Sequence, residues 1–429
     1  MSTLQTYNLK HPDASGNQVT FTSGGDTSVT GSTTFTSPIK ASKIENASTT
    51  DGGVEIDSDG HVQVDGLQLP TAGSLSNRNL VDNGAMNIKQ RSEASRTTDG
   101  FLIDRFITGV NGGVQTTTRE TLSSSDTPHS EGFRNYLRCT NTTAVTDTAA
   151  NYRFIMHSIE ADVMDTCGWN YTSSSSFITM SFWVRASVSQ EYYGYINNNT
   201  AGTIYAYPFS LGTLAANTWT RVVVTVPGNS GLVFDQGTGS GFQFILAPFW
   251  GTNFTDSSAT AGAWKVYAGG SRTPDYATTW ATTAGATFDL TGLQIEVGEK
   301  RTPFEHRTTR EELQRCYRYY YRVTPGNGAY WGMGVQYNAT SSIHYIQFPV
   351  PMRIPITAME TTGTASDYKV IYGTGTASCS AAPIYGGDAS RFGQSFNFLV
   401  SSGAAGAVGD SCIARSGADA AFLAWSAEI

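Results

Sequence analysis

Apolar and polar residues alternate with a period of two over much of the chain between residues 152 and 297. The segments with this alternation are 152–159, 178–185, 219–226, 241–246, 263–267 and 288–297. Such alternation is typical of half-buried β-strands, and turn-forming runs such as PGNSG and VGEKR separate the segments. Amphipathic helical runs between them are missing, which gives no support to a parallel α/β fold. We therefore predict a mainly β protein in which residues 76–306 form an antiparallel jelly-roll sandwich.

Residues 1–75 have a different texture, with short runs of Thr, Val and Ser broken by SGGDTS, TTDGG and DSDGH. The segments 54–57 and 61–65 alternate on either side of Asp59 and Gly60, which predicts a β-hairpin. Each strand offers only a narrow apolar strip that another chain would have to cover. We therefore predict a β-rich shaft made by several intertwined copies. The alternative interpretation is a polar tail with too few apolar residues to fold.

One segment has the pattern of a helix, TTREELQRCYRYYY from residue 308. A threonine followed three places later by a glutamate predicts a capping box, either Thr308 with Glu311 or Thr309 with Glu312. The apolar face of this helix would consist of Leu313, Cys316, Tyr317 and Tyr320. We assign residues 307–323 to a linker helix. Gly-rich turns and strand patterns such as 342–350, 368–372, 396–400 and 421–429 then predict a small β domain over residues 324–429.

Composition narrows the range of partners. Charged residues make up only 14% of the chain, against roughly 25% in typical soluble domains, and the net charge is −8. No run of five like charges occurs, which argues against nucleic acid and anionic membranes as partners. The N-terminal stretch lacks the apolar core of a signal peptide, and no segment approaches the roughly 18 apolar residues of a membrane span. We expect synthesis in a cytoplasm and no insertion into a membrane.

The cysteines give no indication of a metal or disulfide framework. They stand at positions 139, 167, 316, 379 and 412, without a CxxC pair and without histidines at zinc-ligand spacing. We therefore expect five free thiols that pack as small apolar groups.

Four segments of the chain, taken in order, have a familiar appearance. They are NLVDNGAMNIKQR at 79–91, DGFLIDRF at 99–106, FDLTGLQIEVGEKRTPFEHRTTREELQRCYRYY at 288–320 and the ending FLAWSAEI. Together they resemble the tail-fibre and related virion proteins of tailed bacteriophages and prophages. The start, STLQTYNLKHPDASGNQVTF, looks like the opening of virion fibre proteins in marine phages.

This resemblance implies a fold and a role. In that family the first segment begins a jelly roll that resembles carbohydrate-binding modules, LQIEVGE is its final strand, and a helix leads to a variable distal domain. The chain would then be a homotrimeric tail appendage of the virion, assembled in the cytoplasm of the host bacterium. Its N-terminal segment would bind another virion protein, and its distal part would bind a glycan or protein on the host surface. No cofactor is implied.

Three other functions remain open at this point. A head fibre or capsid decoration protein would share the fold and differ only in where residues 1–75 dock. A tailspike that cleaves glycans would need a cleft with paired acids, and the lack of a long repetitive β-helix pattern counts against it. A free carbohydrate-binding module of a secreted enzyme would carry a signal peptide and a catalytic domain, and we find neither in this sequence.

Catalytic chemistry finds little support in the sequence. The acids that a glycosidase could use are Glu160, Asp162, Asp165, Asp235 and Asp256. No spacing marks a pair among them, so we interpret them as turn acids or structural acceptors and expect no enzyme. The sequence has no GxSxG, HExxH or GxxxxGK[ST] motif. Related jelly rolls often hold a structural calcium, but the predicted last strand offers only Asp289 and Glu296, and we assign no metal.

Aromatic residues beside Asn, Thr or Gly are the candidates for glycan binding, because sugars present apolar C–H faces to flat rings. In the sandwich they are Tyr192, Tyr193, Tyr195, Tyr205, Tyr207, Trp250 and Trp280, and in the C-terminal domain Tyr330, Trp331, Tyr337 and Tyr385. For any one ring, burial in the core or in a subunit interface is the alternative interpretation. Trp183 and Trp219 lie inside strand patterns, and we assign them to the core.

Overall fold

The computed structural model of the chain describes most residues from Ser76 onward and a few short strands before them. The described ranges are 76–146, 149–199, 202–373, 375–388, 390–401 and 406–429, with seven strands between residues 8 and 68. Contacts divide the chain into two compact units, Met1–Leu69 and Pro70–Ile429.

In the N-terminal unit the described strands form two small antiparallel sheets. The first has three strands, β1 (Asn8–Leu9), β2 (Val19–Phe21) and β3 (Thr27–Val29), and the second has four, β4 (Lys43–Glu45), β5 (Gly53–Ile56), β6 (Val62–Val64) and β7 (Leu67–Gln68). The predicted hairpin is present, since β5 pairs with β6 and Ile56 lies opposite Val62. The rest of residues 1–75 lies outside the described residues, so the trimeric shaft stays a prediction.

Two antiparallel sheets form the central sandwich. The six-stranded sheet has the order β17 (Thr220–Pro227), β14 (Phe177–Ala186), β20 (Ala286–Val297), β12 (Asn135–Thr143), β11 (Val114–Thr121) and β8 (Ser95–Arg96). The seven-stranded sheet has the order β19 (Lys265–Val266), β16 (Tyr205–Thr213), β15 (Glu191–Asn198), β18 (Ser240–Trp250), β13 (Tyr152–Glu160), β10 (Phe106–Asn111) and β9 (Gly100–Ile103). The predicted β sandwich is thereby confirmed.

The main core fills the space between these sheets. Phe182 on β14 packs edge-on against Phe244 on β18, with 5.3 Å between ring centroids, and tilted against Phe209 on β16 at 6.4 Å. Trp183 and Trp219 are buried as predicted, but they belong to a separate small cluster with Tyr136. Strand side chains alternate between faces, so Trp183 faces away from its neighbour Phe182.

Four α-helices occur among the described residues, where the sequence predicted one. They are α1 (Thr127–Ser130), α2 (Ala161–Thr166), α3 (Thr279–Thr282) and α4 (Thr309–Tyr317). Only α4 was predicted, and the register of its capping box is Thr308 with Glu311. It ends at Tyr317 rather than at residue 323, because Tyr320–Val323 forms strand β21. Tyrosine and valine favour strands, and a partner strand near the C-terminus supplies the ladder.

The C-terminal domain contains a small and a large antiparallel sheet. The small sheet has the order β21, β30 (Leu423–Ser426) and β24 (Glu360–Thr361). The large one has the order β26 (Gly375–Ser378), β25 (Tyr368–Tyr372), β29 (Ser411–Ser416), β22 (Tyr330–Asn338), β23 (Ser341–Gln347), β28 (Gly393–Leu399) and β27 (Ile384–Tyr385), with a short 3-10 helix at Ala365–Asp367. Their shared core is built around Trp425, Tyr368 and Phe396, all fully buried.

Two further expectations can be compared with the structure. All five cysteines are free thiols; four are buried and Cys167 is half-buried. Burial raises the pKa of the Cys139 thiol to about 12, so this group stays protonated and apolar at neutral pH. None of the helices in the described ranges combines the length and hydrophobicity that a membrane span requires.

Candidate functional site

A depression of about 220 Å³ lies on the outer face of the seven-stranded sheet. On β13 the fully buried Ile155 faces the core, so its neighbours Phe154 and Met156 face outward. We call the site the aromatic depression; its described lining residues are Tyr152, Phe154, Met156, Tyr195, Ile245, Trp250, Phe254 and Arg272. Six of these eight residues come from three adjacent strands, so the rings are mounted on a rigid sheet.

The register of the sheet brings these residues together. Met156 on β13 lies opposite Ile245 on β18, which in turn lies opposite Tyr195 on β15. Tyr152 lies opposite Trp250 at the end of the same pair of strands. Cross-strand neighbours are only about 5 Å apart at Cβ, so this pairing makes a continuous surface from residues that are far apart in the sequence.

A loop after β18 completes the depression with Phe254 and Arg272. The Arg272 backbone N–H donates to the Phe254 carbonyl at 2.9 Å, and a bridge joins Thr255 to Thr273. These links hold the two ends of the loop side by side. The guanidinium of Arg272 then lies over the Trp250 ring, with 4.4 Å from Cζ to the ring centroid.

The rings differ in how much surface they present. Phe154 and Trp250 stack with centroids 5.5 Å apart and an interplanar angle of 20°. With Arg272 over it as well, Trp250 retains only 3% exposure, whereas Tyr152, Phe154 and Phe254 are half-buried. The exposed parts of these three rings are therefore the surfaces that a flat apolar ligand face can contact.

Phe154 depends on a glycine in the neighbouring strand. A Cβ atom at Gly109 on β10 would lie 2.1 Å from the Phe154 ring, far below any real contact. The ring therefore lies across the Gly109 backbone, and any larger residue at position 109 would displace it.

Of the predicted site residues, Trp250 and Tyr195 line the depression, while two others lie in the interior. Tyr192 is fully buried and its Oη donates to the Val188 carbonyl at 2.8 Å. Trp280 is also fully buried, and its Nε1 donates to the Thr287 carbonyl at 3.0 Å. A ring without exposed surface cannot stack on a sugar, so the structure corrects the prediction for Tyr192 and Trp280.

Two of the three remaining predicted rings of the sandwich pack against neighbouring aromatic side chains, and the third keeps part of its surface. Tyr193 packs edge-on against Tyr276 at 5.2 Å, and Tyr207 packs in the same way against Trp264 at 5.4 Å. Both tyrosines are buried, which corrects their assignment to a ligand surface. Tyr205 is half-buried and keeps part of its surface.

The C-terminal candidates divide in the same way. Trp331 is buried and lies 6.2 Å from the Tyr368 ring, so it belongs to the core rather than to a ligand surface. Tyr330 and Tyr337 on β22 are both 61% exposed, and Tyr385 is half-buried. These exposed rings lie outside the aromatic depression.

Sequence reasoning missed most of the lining residues of the depression: Tyr152, Phe154, Met156, Ile245, Phe254 and Arg272. The available signal was the spacing of residues 152, 154 and 156, which places three large apolar side chains on one face of a strand. The alternation alone does not show which face of the strand points outward, and the polar Arg153 and His157 lie on the buried face.

Three of the four segments that carry the resemblance contribute residues to a buried polar junction between the sandwich and the C-terminal domain. We call this the polar junction: Asp104, Arg105, Glu160, Arg318, Tyr319 and Glu428. Arg318 holds the Glu160 carboxylate through two hydrogen bonds of 2.6 Å, and the Tyr319 Oη donates to the same carboxylate. Arg105 pairs with Glu428 at 2.8 Å and lies over the Tyr319 ring at 3.4 Å. These residues connect the domains, and Glu160 has no carboxylate oxygen left unpaired for catalysis.

Most of the other candidate acids are engaged in local hydrogen bonds. Asp165 accepts from the Tyr171 Oη at 3.1 Å, Asp235 from the Gly237 N–H at 2.8 Å, and Asp256 from the N–H and hydroxyl of Ser258. Asp162 differs, because burial and the nearby Glu160 raise the pKa of its carboxyl. Its Oδ1 has no hydrogen-bond partner in the described part of the chain.

The two acids considered for calcium are committed to other partners. Asp289 forms ion pairs with Arg138 at 2.8 Å and with Arg185 at 2.9 Å. Glu296 accepts hydrogen bonds from Thr302 and Gln294. Carboxylates whose oxygens are engaged in this way do not fit a calcium site, and the described residues contain no group of three or more potential metal ligands.

Comparisons with known proteins were made at the level of sequence and of structure. No family model matches the chain, and no curated protein matches it either. Among solved structures, the enzymatically active domain of bacteriophage CBA120 tailspike protein 4 is 9% identical with a TM-score of 0.30; the alignment covers 52% of this chain and 22% of that one. This chain thus spans about a fifth of that structure.

Two similar structures are carbohydrate-binding modules. The CBM22-1 xylan-binding domain from Paenibacillus barcinonensis is 10% identical, with a TM-score of 0.26 and coverage of 54% of this chain and 98% of that one. A family 11 module from Clostridium thermocellum is 12% identical, with a TM-score of 0.23 and coverage of 51% and 99%. TM-scores this low do not establish that this chain shares a fold or a function with these proteins.

Proposed function

We propose that the chain binds a glycan in the aromatic depression. The observation that carries this proposal is the set of half-exposed rings, Tyr152, Phe154 and Phe254, beside the buried Trp250. Sugar rings present an apolar C–H face that packs on aromatic rings, while their hydroxyl edges take hydrogen bonds. Rings held on adjacent strands lose little conformational entropy on binding, which favours recognition by a shallow surface.

A pair of ring variants tests this proposal. Tyr152→Ala and Phe154→Ala should each weaken binding to any glycan identified on an array by about ten-fold, because each removes a stacking surface and its buried area. The matched control is Tyr337→Ala, which removes an exposed ring in the C-terminal domain. Binding that survives both depression variants but is lost in the control would place the site on the C-terminal domain and contradict the proposal.

We further propose that this binding serves host adsorption by a virion. On this account the chain is a trimeric tail fibre whose residues 1–75 attach it to another virion protein and whose remaining part contacts the host surface. The support is the resemblance of four segments to phage fibre proteins, three of which contribute residues to the polar junction. Several copies on one particle would convert weak glycan contacts into firm attachment through high effective concentration.

The alternative location is the head, as a fibre or capsid decoration. It differs from the tail only in the protein that residues 1–75 bind. Labelling the chain with gold on intact particles and imaging them by electron microscopy separates the two. Label at the tail tip is the expected result, and label on the capsid would transfer the role to a head fibre.

We propose that the chain binds glycans without cleaving them. One observation, at Asp162, favours cleavage instead. A carboxyl with a raised pKa next to a second acid is what a glycosidase requires. Its neighbour Glu160, however, has both carboxylate oxygens hydrogen-bonded to Arg318 and one of them also to Tyr319, so it is not free to act as the base or nucleophile. Incubation with host polysaccharide should release no reducing ends; release that Asp162→Asn abolishes would establish a depolymerising tailspike instead.

A further inference from the structure

The aromatic depression contains a positive charge without a negative partner. Arg272 carries the one formal charge among its described lining residues. Its Nε donates to the Tyr267 Oη at 3.0 Å, and its guanidinium lies over Trp250 and Phe254 at 4.4 and 4.9 Å. Within the described ranges no carboxylate forms an ion pair with it. The site therefore offers a guanidinium that is held in place by aromatic rings and lacks a protein anion.

The acids of the same loop are engaged elsewhere. Asp256 accepts hydrogen bonds from Ser258, and Asp275 accepts one from the Thr255 hydroxyl at 2.5 Å. Elsewhere in the sandwich, arginines do have acidic partners, since Asp289 forms ion pairs with both Arg138 and Arg185. Arg272 is thus free to pair with a ligand without breaking an existing ion pair.

The indole N–H of Trp250 is not available to a ligand in the depression. Trp250 is 97% buried, and its Nε1 is itself buried, with no hydrogen-bond partner among the described residues. Arg272 is therefore the charged donor that the depression presents, and carboxylate acceptors are absent from its described lining.

We propose that the depression binds an acidic sugar and that Arg272 pairs with the sugar's carboxylate. This inference rests on the glycan-binding function proposed above and names its substrate class. The planar guanidinium fork matches a carboxylate through two parallel hydrogen bonds. A volume of about 220 Å³ is below the roughly 300 Å³ at which pockets for drug-sized ligands begin, which suits one sugar unit of a longer chain.

The experiment compares uronic-acid oligosaccharides with their carboxyl-reduced counterparts, which have the same linkages and lack only the charge. Calorimetry on the full-length chain should give about 10- to 100-fold tighter binding to the acidic member of a pair, the range expected for a charge-assisted hydrogen-bonded pair. Arg272→Gln should remove this difference, and Arg272→Lys, which keeps the charge, should retain part of it. Added salt should weaken binding of the acidic member and leave the reduced one unchanged.

Each outcome decides a different point. Equal affinities for the two members, or a preference that survives Arg272→Gln, would overturn the acidic-sugar inference. If neutral glycans then still bind in a manner that depends on Phe154, the glycan-binding function stands without it. A stronger response to a sulfated oligosaccharide than to the uronic acids would overturn the carboxylate assignment. If no glycan in the panel binds, both proposals fail. Near-ultraviolet circular dichroism of Arg272→Gln checks that the packing around Trp250 is retained.

Discussion

At the scale of single residues, the polar junction depends on the carboxylate of Glu160, both oxygens of which accept hydrogen bonds. Both of its oxygens bind Arg318, and the side chain is 1% exposed. Replacing Arg318 by leucine would leave a buried carboxylate without its cation. We expect Arg318→Leu to lower the free energy of unfolding by about 3–5 kcal/mol in urea denaturation.

The control for this prediction is an exposed ion pair of the same sandwich. Glu93 pairs with Arg96 at 3.3 Å, and its side chain is 48% exposed. Glu93→Gln should lower the free energy of unfolding by less than about 1 kcal/mol, because solvent screens such pairs. If Arg318→Leu lowered the free energy of unfolding by as little as this variant, the stability of the junction would not depend on the ion pair.

His344 on β23 is a second residue with a specific prediction. Its ring is buried between Phe396 and Phe398 and lies 2.9 Å from the Ser342 hydroxyl. Burial lowers the pKa of His344 from 6.5 to about 4. The unfolded chain therefore binds a proton between pH 6.5 and pH 4 that the folded chain does not, and stability falls as the pH falls through this window.

Histidine NMR measures this directly. The ring signals of His344 should stay those of a neutral imidazole down to about pH 4. A midpoint near 6.5, the ordinary value, would show that the ring is not in the apolar environment described here.

At the scale of elements, the start of α4 yields a prediction with an internal control. The Thr308 side chain accepts from the Glu311 N–H, and the Glu311 carboxylate accepts from the Thr308 N–H. Thr308→Ala should lower the free energy of unfolding by about 1 kcal/mol, the usual value of an N-cap. Thr309→Ala, one residue later and outside the box, should change it little. The reverse order of the two effects would assign the cap to the other register.

Strand β13 explains why periodicity predicted the element and not the site. The alternation correctly predicted a strand, but Arg153 and His157 lie on the inward face and Phe154 and Met156 on the outward one. Backbone carbonyls compensate for the burial of the Arg153 guanidinium, since its Nη1 donates to the Asn111 carbonyl at 2.6 Å. A pattern based on hydrophobicity cannot anticipate such a reversal, because the compensating carbonyls come from another strand.

The same limit applies to the rest of the site. The sequence predicted the sandwich from its alternating segments, and it predicted the rings Trp250 and Tyr195 because each stands beside Gly and close to Asn. It did not predict Phe254 and Arg272, which reach the depression through a loop. Nor did it predict that Tyr192 and Trp280 are core residues, since neighbouring Thr and Gly residues gave them the appearance of loop positions. Exposure depends on contacts between distant segments, which local patterns do not contain.

At the scale of the whole molecule, the fibre account predicts a defined assembly. Three copies of the 46.0 kDa chain give a molar mass of about 138 kDa. Light scattering on the purified full-length chain should give this value, because the strands proposed for residues 1–75 require other copies to cover their apolar strips. A version without residues 1–75 should remain folded and fail to incorporate into particles.

A monomer would contradict the shaft hypothesis. Residues 1–75 would then be a tail, and the decoration and binding-module interpretations would become the stronger ones. Normal incorporation of the shortened version into particles would equally remove the proposed role of this segment in attachment.

The most direct test of the central claim is a crystal structure of the chain with a bound acidic oligosaccharide. The account predicts a sugar ring over the exposed surfaces of Tyr152, Phe154 and Phe254, with its carboxylate at Arg272. Sugar found instead beside Tyr330 and Tyr337, or anywhere away from the seven-stranded sheet of the sandwich, would contradict it.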